Sequence, residues 1–308
     1  MATLRQELKN GGIIAPGAHD ALTAVLAQKA GFTSVYASGF AFEATQLGAP
    51  DMGYATMMEL ASHIARITHA APELNIIVDV DTGFGGPNSL YRSVKEFSRV
   101  GAAAIQIEDQ SDPKRCPFLG KRTVVDQDTA TARIKLAVDS RGNDELLIIA
   151  RTDADEQGIE EIITRCNRFT EAGADLVLPM VNAIDGIRFL DRTPEERMEI
   201  YATLTTRIDA PLVTLDPPPG FTAQDLFDLG AKVVTMPLIS LQAAANAMIE
   251  YFASLKETGA SQCYTIEHPP ILPANIEMMK VLGLDDYEDR LNAMPGVSTL
   301  LRQFPYPE

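Results

Sequence analysis

The stretch NIIVDVD, residues 75–81, joins a short apolar run to two aspartates. Its apolar residues are consecutive rather than alternating, which is typical of a strand buried on both faces, as in a parallel sheet. A helical pattern follows at 89–101, SLYRSVKEFSRVG, and ends in a glycine. Glycine adopts the left-handed conformation at a helix C-terminus without steric strain, so Gly101 predicts the end of that helix. The stretch therefore predicts one strand-then-helix unit.

The same unit recurs along most of the chain. The other apolar runs start at residues 13, 34, 103, 146, 174, 211 and 231 and read IIAPGA, SVYASG, AAIQIED, LLIIART, ADLVLPM, PLVTLD and AKVVTMP. Eight such units in roughly 250 residues predict an α/β fold of the (β/α)8 TIM-barrel type, and an open doubly wound sheet is the alternative. The glycine-rich dinucleotide fingerprint of that alternative is missing after the first run, where the chain reads PGAHD at 16–20.

The C-terminal region departs from this pattern. It reads as two further helices, ANIEMMKVLG at 274–283 and DDYEDRLNAM at 285–294. We therefore predict a barrel domain at 1–258 and a C-terminal helical extension at 259–308.

Charge and composition exclude several classes of partner. The chain has 308 residues and a formal net charge of −16 at pH 7, which argues against nucleic acid or an anionic membrane as a partner. No apolar run reaches the ~18 residues that a membrane-spanning helix needs. Its three cysteines, Cys116, Cys166 and Cys263, are an odd number without the spacing of a disulfide framework. The N-terminus lacks the apolar region of a signal peptide, so we expect a cytoplasmic protein.

Acidic side chains stand where several of the predicted strands end, and barrel enzymes carry their chemistry at those ends. Asp79 and Asp81 end the third run, Glu108 ends the fourth, and Asp51 lies in the loop after the second. Asp79 and Asp81 are two residues apart, so we expect them on the same side of one strand. Converging carboxylates repel one another without a cation, and all-oxygen ligands suit Mg²⁺, or Mn²⁺, rather than zinc. These four residues are the predicted metal site, although single acidic residues at strand ends also serve as turn formers or helix caps.

Groups that suit an anionic substrate stand at the same ends. Arg151 ends the fifth run and is able to donate two parallel hydrogen bonds to a substrate carboxylate. Ser38 and Gly39 follow the second run and offer a hydroxyl and backbone N–H groups. Tyr36 faces the same way as Ser38 and either packs beneath the ligand or fills the barrel. A metal, a carboxylate clamp and an oxyanion pocket together suit the stabilisation of an enolate next to a carboxylate.

A basic loop with one thiol follows the fourth run and reads DPKRCPFLGKR, residues 112–122. Its four cationic side chains should lower the pKa of the Cys116 thiol and attract an anionic substrate. Cys116 is therefore a candidate catalytic acid, and the alternative is an idle cysteine in a loop.

At these residues the chain resembles the isocitrate lyase and phosphoenolpyruvate mutase superfamily, from about residue 4 to residue 255. The resemblance rests on five motifs in order: YASGFAFEATQLGAPD at 36–51, DVDTGFGG at 79–86, IQIEDQ at 105–110, PKRC at 113–116 and IIARTDA at 148–154. It implies a barrel that forms a homotetramer and exchanges a C-terminal helix between subunits. It also implies Mg²⁺ chemistry on 2-oxo or 2-hydroxy carboxylates through an enolate.

The resemblance implies a role for each candidate residue. Asp79 corresponds to the direct metal ligand, and Asp51, Asp81 and Glu108 correspond to residues that hold the water molecules of the ion. The contacts to the substrate carboxylate and oxyanion fall to Ser38, Gly39 and Arg151. In the carbon–carbon lyases of the superfamily, the cysteine that corresponds to Cys116 passes a proton to the enolate carbon.

Three departures from the lyase pattern bear on the substrate. The loop has Pro117-Phe118 where the lyases have Gly-His. Met180 stands after the sixth run, where many lyases have an acidic residue, and LDPPP at 215–219 stands where they have an Asn and a Glu. Those polar groups bind the far end of a long dicarboxylate or tricarboxylate. Their replacement predicts a shorter or alkyl-substituted malate, or oxaloacetate.

We therefore predict a Mg²⁺-dependent carbon–carbon lyase with Cys116 and Arg151 as catalytic residues. It would cleave a 2-hydroxy dicarboxylate of malate type to pyruvate, or a similar oxo acid, and a second carboxylate. Oxaloacetate decarboxylation or a phosphonate-type mutase or hydrolase reaction is the first alternative, since it needs the metal pocket but not the thiol. A barrel that binds a carboxylate without turnover is the second.

Overall fold

Each of the eight apolar runs forms a parallel strand in the computed structural model, which describes residues 2–120, 122–261 and 275–294. The barrel strands are β1 (Ile13–Pro16), β2 (Ser34–Ala37), β3 (Asn75–Asp79), β4 (Ala104–Glu108), β5 (Leu147–Thr152), β6 (Leu176–Pro179), β9 (Leu212–Thr214) and β10 (Ala231–Met236). A two-stranded antiparallel hairpin, β7 (Ala183–Ile184) and β8 (Ile187–Arg188), follows β6.

The order of the strands closes the sheet. The order is β1-β10-β9-β6-β5-β4-β3-β2, so the first two strands of the chain lie at its two ends. These ends meet where Gly17 and Tyr36 form a parallel bridge, and the Ala18 N–H donates to the Tyr36 carbonyl at 2.9 Å. The eight strands therefore form a nearly closed barrel. The predicted (β/α)8 barrel is confirmed, and the open doubly wound alternative is wrong.

Helices connect successive strands, and further helices precede the first strand and follow the last one. They are α1 (Leu4–Asn10), α2 (Ala21–Lys29), α3 (Gly39–Phe42), α4 (Met57–Ala70), α5 (Pro87–Arg99), α6 (Gln127–Arg141), α7 (Ile159–Glu171), α8 (Pro194–Arg207), α9 (Ala223–Asp228), α10 (Ile239–Thr258), α11 (Asn275–Val281) and α12 (Leu284–Asn292). The helix end predicted at Gly101 is confirmed, because this glycine follows α5 with a φ of +88°. Thr56 starts α4 with a reciprocal capping box to Glu59.

Consecutive apolar residues in the strands point alternately into two hydrophobic cores, one inside the barrel and one between the barrel and the helices. Ile77 points into the barrel, where it joins Ile149 and Leu178, whereas its neighbour Ile76 packs against the surrounding helices. Both isoleucines are fully buried, and burial of one such side chain contributes about 1.5–3 kcal/mol to folding. This two-sided burial is the reason that the runs do not alternate with polar residues.

The chain divides into two compact units between Ala243 and Ala244. The first unit holds all ten strands that the described residues form, and the second holds most of α10 together with α11 and α12. Helices α11 and α12 confirm the two predicted C-terminal helices, except that Ala274 lies outside the described residues. The domain boundary at residue 258 and the exchange of a helix between subunits stay predictions. No helix in the described ranges is both long and apolar enough to span a bilayer.

Candidate active site

Three buried carboxylates meet at the carboxyl ends of β3 and β4. Asp79, Asp81 and Glu108 each present an oxygen atom, and these atoms lie within 4.8 Å of one another. Their exposed fractions are 7%, 8% and 1%. The structure therefore brings three of the four predicted metal-site residues together, and we call them the acid cluster.

Asp81 reaches the acid cluster through a turn rather than along a strand. Strand β3 ends at Asp79, and Asp81 has a φ of +49°. Its backbone N–H donates to Asp79 Oδ1 at 3.2 Å. The expectation that both residues lie on one side of the same strand is thus wrong. Aspartate tolerates this left-handed conformation better than most residues, because its short side chain bonds to nearby backbone.

Asp51, the fourth predicted residue, is joined to the acid cluster by a lysine. Lys114 Nζ lies 2.5 Å from Asp51 Oδ1 and 2.6 Å from Asp81 Oδ1. The loop that carries Asp51 is itself held by Glu43, which is 1% exposed. The Glu43 carboxylate accepts hydrogen bonds from the backbone N–H groups of Met52, at 2.9 Å, and Ala55, at 3.0 Å.

The acid cluster holds more negative charge than its surroundings neutralise. Burial, reinforced by the charge of Asp81, raises the pKa of Asp79 to about 6. Burial also raises the pKa of Asp81 and raises that of Glu108 well above its usual range. Burial alone would lower the pKa of Lys114, but the carboxylates around it, Asp81 foremost, raise it instead.

These residues fit a hard divalent cation. The donor set is all oxygen, as Mg²⁺ and Mn²⁺ prefer. Glu108 Oε1 is buried and has no hydrogen-bond partner among the described residues. A Cβ on Gly39 would lie 3.4 Å from Asp81 Oδ1, so glycine leaves space beside the acid cluster. Asp79, Asp81 and Glu108 are therefore able to hold an ion directly or through its water molecules.

Arg151 is placed beside the acid cluster by the register of the sheet, in which it pairs with Glu108. Its Nη2 atom lies 3.2 Å from Glu108 Oε2, and its Nη1 atom lies 3.9 Å from Asp79 Oδ2. Its Nε and Nη2 atoms each donate to the carboxylate of Asp153 at 2.9 Å. Asp153 thus occupies the edge of the guanidinium formed by Nε and Nη2, and the two-pronged contact of Arg151 to a substrate carboxylate stays a prediction. Arg151 also lines the neighbouring pocket.

That pocket, of 150 Å³, collects most of the predicted site residues. Its polar side carries Tyr36, Ser38, Asp51, Asp79 and Arg151. Its apolar side carries Leu178, Met180, Leu215, Leu238 and Ile239. The thiol loop contributes Cys116, Pro117 and Phe118, and Asp216 and Gln242 also line the pocket. The lining therefore combines a polar set of side chains with an apolar set, which we call the polar half and the apolar half.

Tyr36 and Ser38 line the polar half in different ways. The Tyr36 hydroxyl donates to Gln106 Oε1 at 2.8 Å inside the barrel, so this side chain fills the barrel and also floors the pocket. Burial raises the pKa of Tyr36 well above its usual range. Ser38 precedes α3, but its side chain makes no capping bond to that helix.

The sequence of this chain matches a known family and several characterised relatives. The family model described as phosphoenolpyruvate phosphomutase matches residues 4–256. The chain belongs to this family. A 2,3-dimethylmalate lyase from Eubacterium barkeri is 36% identical over 245 residues, which cover 79% of this chain and 81% of the relative. A 2-methylisocitrate lyase from Halalkalibacterium halodurans is 33% identical over 286 residues, which cover 92% of this chain and 90% of the relative.

A solved structure of a related enzyme has a similar fold. Oxaloacetate acetylhydrolase in complex with the inhibitor 3,3-difluorooxalacetate matches with a TM-score of 0.83 at 29% identity, over 94% of this chain and 95% of that chain. The predicted superfamily is thereby confirmed, and the lyases among the relatives support carbon–carbon lyase activity.

In this member of the phosphoenolpyruvate phosphomutase family, Cys116 is 7% exposed. Burial, and then the charge of Asp51, raises the pKa of its thiol to about 12. The expectation of a lowered pKa is therefore wrong. Lys114 is engaged by Asp51 and Asp81, Arg122 is engaged by two other aspartates, and Arg115 is exposed. Lys121 lies outside the described residues.

Sequence reasoning missed three residues of the site. The cations of the thiol loop were assigned to the thiol and Glu43 was given no role, yet Lys114 and Glu43 both hold the loop of Asp51. Asp153 was not used, although the spacing of two residues from Arg151 was a usable signal. The spacing of residues does not reveal the roles of Lys114 and Glu43, because Lys114 bonds to residues 33 and 63 positions earlier and Glu43 bonds to loop backbone 9 and 12 positions later.

Proposed function

We propose that this phosphoenolpyruvate phosphomutase family member is a Mg²⁺-dependent carbon–carbon lyase. Its substrate would be a short or alkyl-substituted 2-hydroxy dicarboxylate of malate type, and its products pyruvate, or a similar oxo acid, and a second carboxylate. One observation carries the proposal: a buried thiol, Cys116, lines the same pocket as Asp79 of the acid cluster.

The polar half of the pocket would bind the reacting end of the substrate. Asp79 would hold the ion directly, and Asp51, Asp81 and Glu108 would hold its water molecules. A bound divalent cation would polarise the substrate oxygens and offset the negative charge that grows on them. The Nη1 side of Arg151 and the groups at Ser38 and Gly39 would orient the carboxylate next to the bond that breaks.

The thiol would supply the proton that completes the cleavage. The 2-hydroxyl would pass its proton to a carboxylate that lines the pocket, Asp51 or Asp79, and would become the carbonyl of the oxo acid while the C2–C3 bond breaks. The electron pair of that bond passes to C3, and Cys116 donates a proton to this carbon. A thiol with a raised pKa suits this step, because it holds its proton until the carbanion forms.

The apolar half of the pocket supports an alkyl-substituted substrate. Each CH₂ group of the substrate that Met180 and its apolar neighbours shield from water contributes about 0.8 kcal/mol to binding, which is roughly a fourfold gain in affinity. Asp216 follows Leu215 of the apolar half in the chain and also lines the pocket, and burial raises the pKa of its carboxyl. A substrate with a further carboxylate at that end would meet this acid instead of a cation. We therefore favour a dimethylmalate-type substrate over methylisocitrate.

The test is an assay with Mg²⁺ of pyruvate release from oxaloacetate, citramalate (2-methylmalate), 2,3-dimethylmalate and methylisocitrate, and of glyoxylate release from isocitrate. Wild type, Cys116→Ser and Cys166→Ala would be compared, since Cys166 is a buried cysteine in α7 away from the pocket. We expect a substituted malate to be cleaved by wild type and Cys166→Ala, with a loss of at least about a hundredfold in Cys116→Ser. Full activity of Cys116→Ser on the best substrate would contradict the proposal.

A reaction that does not use the thiol is the second candidate. Pro117 and Phe118 replace the Gly-His of the lyase loop, and the similar structure of oxaloacetate acetylhydrolase was solved with a difluoro analogue of oxaloacetate. Equal consumption of oxaloacetate by wild type and Cys116→Ser would favour this reading. Oxalate binding without turnover of any compound in the panel would favour a carboxylate-binding barrel.

We also expect a homotetramer in the cytoplasm. Light scattering coupled to gel filtration measures the oligomeric state, and cell fractionation measures the location.

A further inference from the structure

The residues on both sides of Cys116, Arg115 and Pro117, are held through their backbone by buried side chains. The Gln110 amide donates to the Arg115 carbonyl at 3.0 Å, and its Oε1 accepts from the Arg115 N–H at 2.9 Å. On the other side, Arg122 Nη1 donates to the Pro117 carbonyl at 2.6 Å. The thiol therefore sits between two fixed points of the backbone.

The two side chains are anchored in different parts of the barrel. Gln110 is 1% exposed and follows β4 by two residues. The side chain of Arg122 is 1% exposed, bonds to Asp155 through Nη2, and lies 3.2 Å from Asp153 through Nε. Asp153 also binds Arg151, so Arg122 connects the thiol loop to the end of β5.

The loop has little apolar packing that would hold it without these bonds. Pro117 is half-buried, while Phe118 and Leu119 are 61% and 56% exposed. A segment with few buried apolar contacts opens locally at low free energy unless polar contacts fix it. A buried guanidinium also needs charged partners, and Arg122 has two fully buried ones in Asp153 and Asp155. The position of Cys116 thus depends on polar anchors.

We propose that Gln110 and Arg122 are positioning residues that clamp the backbone on both sides of Cys116 and hold its thiol in the pocket. The purpose of this Gln110–Arg122 clamp rests on the proposed function, in which the thiol delivers a proton to carbon. The clamp itself is defined by the backbone contacts alone and is measurable without substrate.

The test is the rate of iodoacetamide alkylation at pH 8, followed by mass spectrometry of the peptides that carry Cys116 and Cys166. Arg122→Lys keeps the charge beside the aspartates but is too short to reach the Pro117 carbonyl as well. Gln110→Met removes both bonds to Arg115 without a change of charge. Arg168→Lys, at an arginine that pairs with Asp128 away from the loop, is the matched control.

We expect alkylation of Cys116 to rise about tenfold in Arg122→Lys and in Gln110→Met, since each loses at least one hydrogen bond. Cys166 is fully buried in the core, so its rate should stay at the wild-type value in all variants. An unchanged rate at Cys116 in both clamp variants would overturn the proposal. An equal rise at both cysteines would also overturn it, because it would report global opening.

Turnover separates the clamp from the function that it serves. If the thiol is the proton donor, kcat falls in both clamp variants while KM for the malate-type substrate and the affinity for Mn²⁺ stay near wild type. Faster alkylation of Cys116 with unchanged kcat would support the proposed clamp but contradict the proposed role of the thiol as proton donor.

Discussion

Replacing Lys114 with methionine tests whether this lysine neutralises the acid cluster. Its ammonium group bridges Asp51 and Asp81, and its side chain is 9% exposed. Methionine keeps much of the aliphatic length and removes the charge. The change leaves the carboxylates of Asp51 and Asp81 buried without their shared cation.

The expected loss of stability follows from this burial. Removal of one partner from a buried ion pair costs about 3–5 kcal/mol, because the remaining charge stays desolvated. For a domain of this size, each kcal/mol lowers Tm by roughly 2–4 °C, so Lys114→Met should lower Tm by roughly 6–20 °C in EDTA. Lys135 forms a pair with Asp139 in which both side chains are at least 60% exposed. Such pairs contribute about 0.2–1 kcal/mol, so Lys135→Met is a matched control with a small effect.

The assay is thermal denaturation of both variants in EDTA and with Mg²⁺ or Mn²⁺. A divalent cation replaces the missing positive charge, so the metal should raise Tm more in Lys114→Met than in wild type. The reasoning is refuted if Lys114→Met and Lys135→Met have the same Tm in EDTA, or if the metal stabilises Lys114→Met less than wild type.

Three further predictions follow from single contacts. Tyr36→Phe removes the donor to buried Gln106 Oε1 and should lower the free energy of unfolding in urea by about 1–3 kcal/mol; no loss would contradict a buried bond. The pKa of Asp79, about 6, lies above the unfolded value near 3.9, so metal-free stability should fall as pH rises between these values. Since Mn²⁺ needs the ionised carboxylate, its gain in Tm should be larger at pH 7 than at pH 5, and an equal gain would refute the assignment. Asp216→Asn should raise kcat/KM for methylisocitrate relative to 2,3-dimethylmalate by about tenfold, as the repulsion at the tail of the pocket is removed; an unchanged ratio would show that Asp216 does not face the substrate.

The barrel was predictable because its physical requirements are local. A parallel strand covered on both faces needs consecutive apolar residues, and each of the eight runs supplied them. The end of each strand fixes the position of the next polar residue, and all strands of a barrel end at one rim. Asp79, Glu108 and Arg151 could therefore be placed together before any contact was known.

The thiol loop was not predictable in the same way. Counting cations around Cys116 suggests a lowered pKa, but the effect depends on which acids those cations face. Lys114 faces Asp51 and Asp81, and Arg122 faces Asp153 and Asp155, at separations of 31–63 residues along the chain. Local spacing carries no information about such pairs. The turn that brings Asp81 into the acid cluster was missed for a related reason. The spacing of two residues between Asp79 and Asp81 predicts a shared side only if both residues lie in a strand.

The paired cations also explain how a very acidic protein would bind a dianion. Three cations of the site, Lys114, Arg122 and Arg151, lie against six carboxylates, and Asp216 lines the pocket as a further one. The six are Asp51, Asp79, Asp81, Glu108, Asp153 and Asp155. Every one of the three cations is already in contact with a carboxylate of the protein, so none is a free counter-ion for a substrate. Without a metal, a negatively charged dicarboxylate would enter a negatively charged pocket. We therefore expect the divalent cation that the acid cluster fits to be needed for substrate binding as well as for the proposed bond cleavage, so that metal precedes substrate in the order of binding.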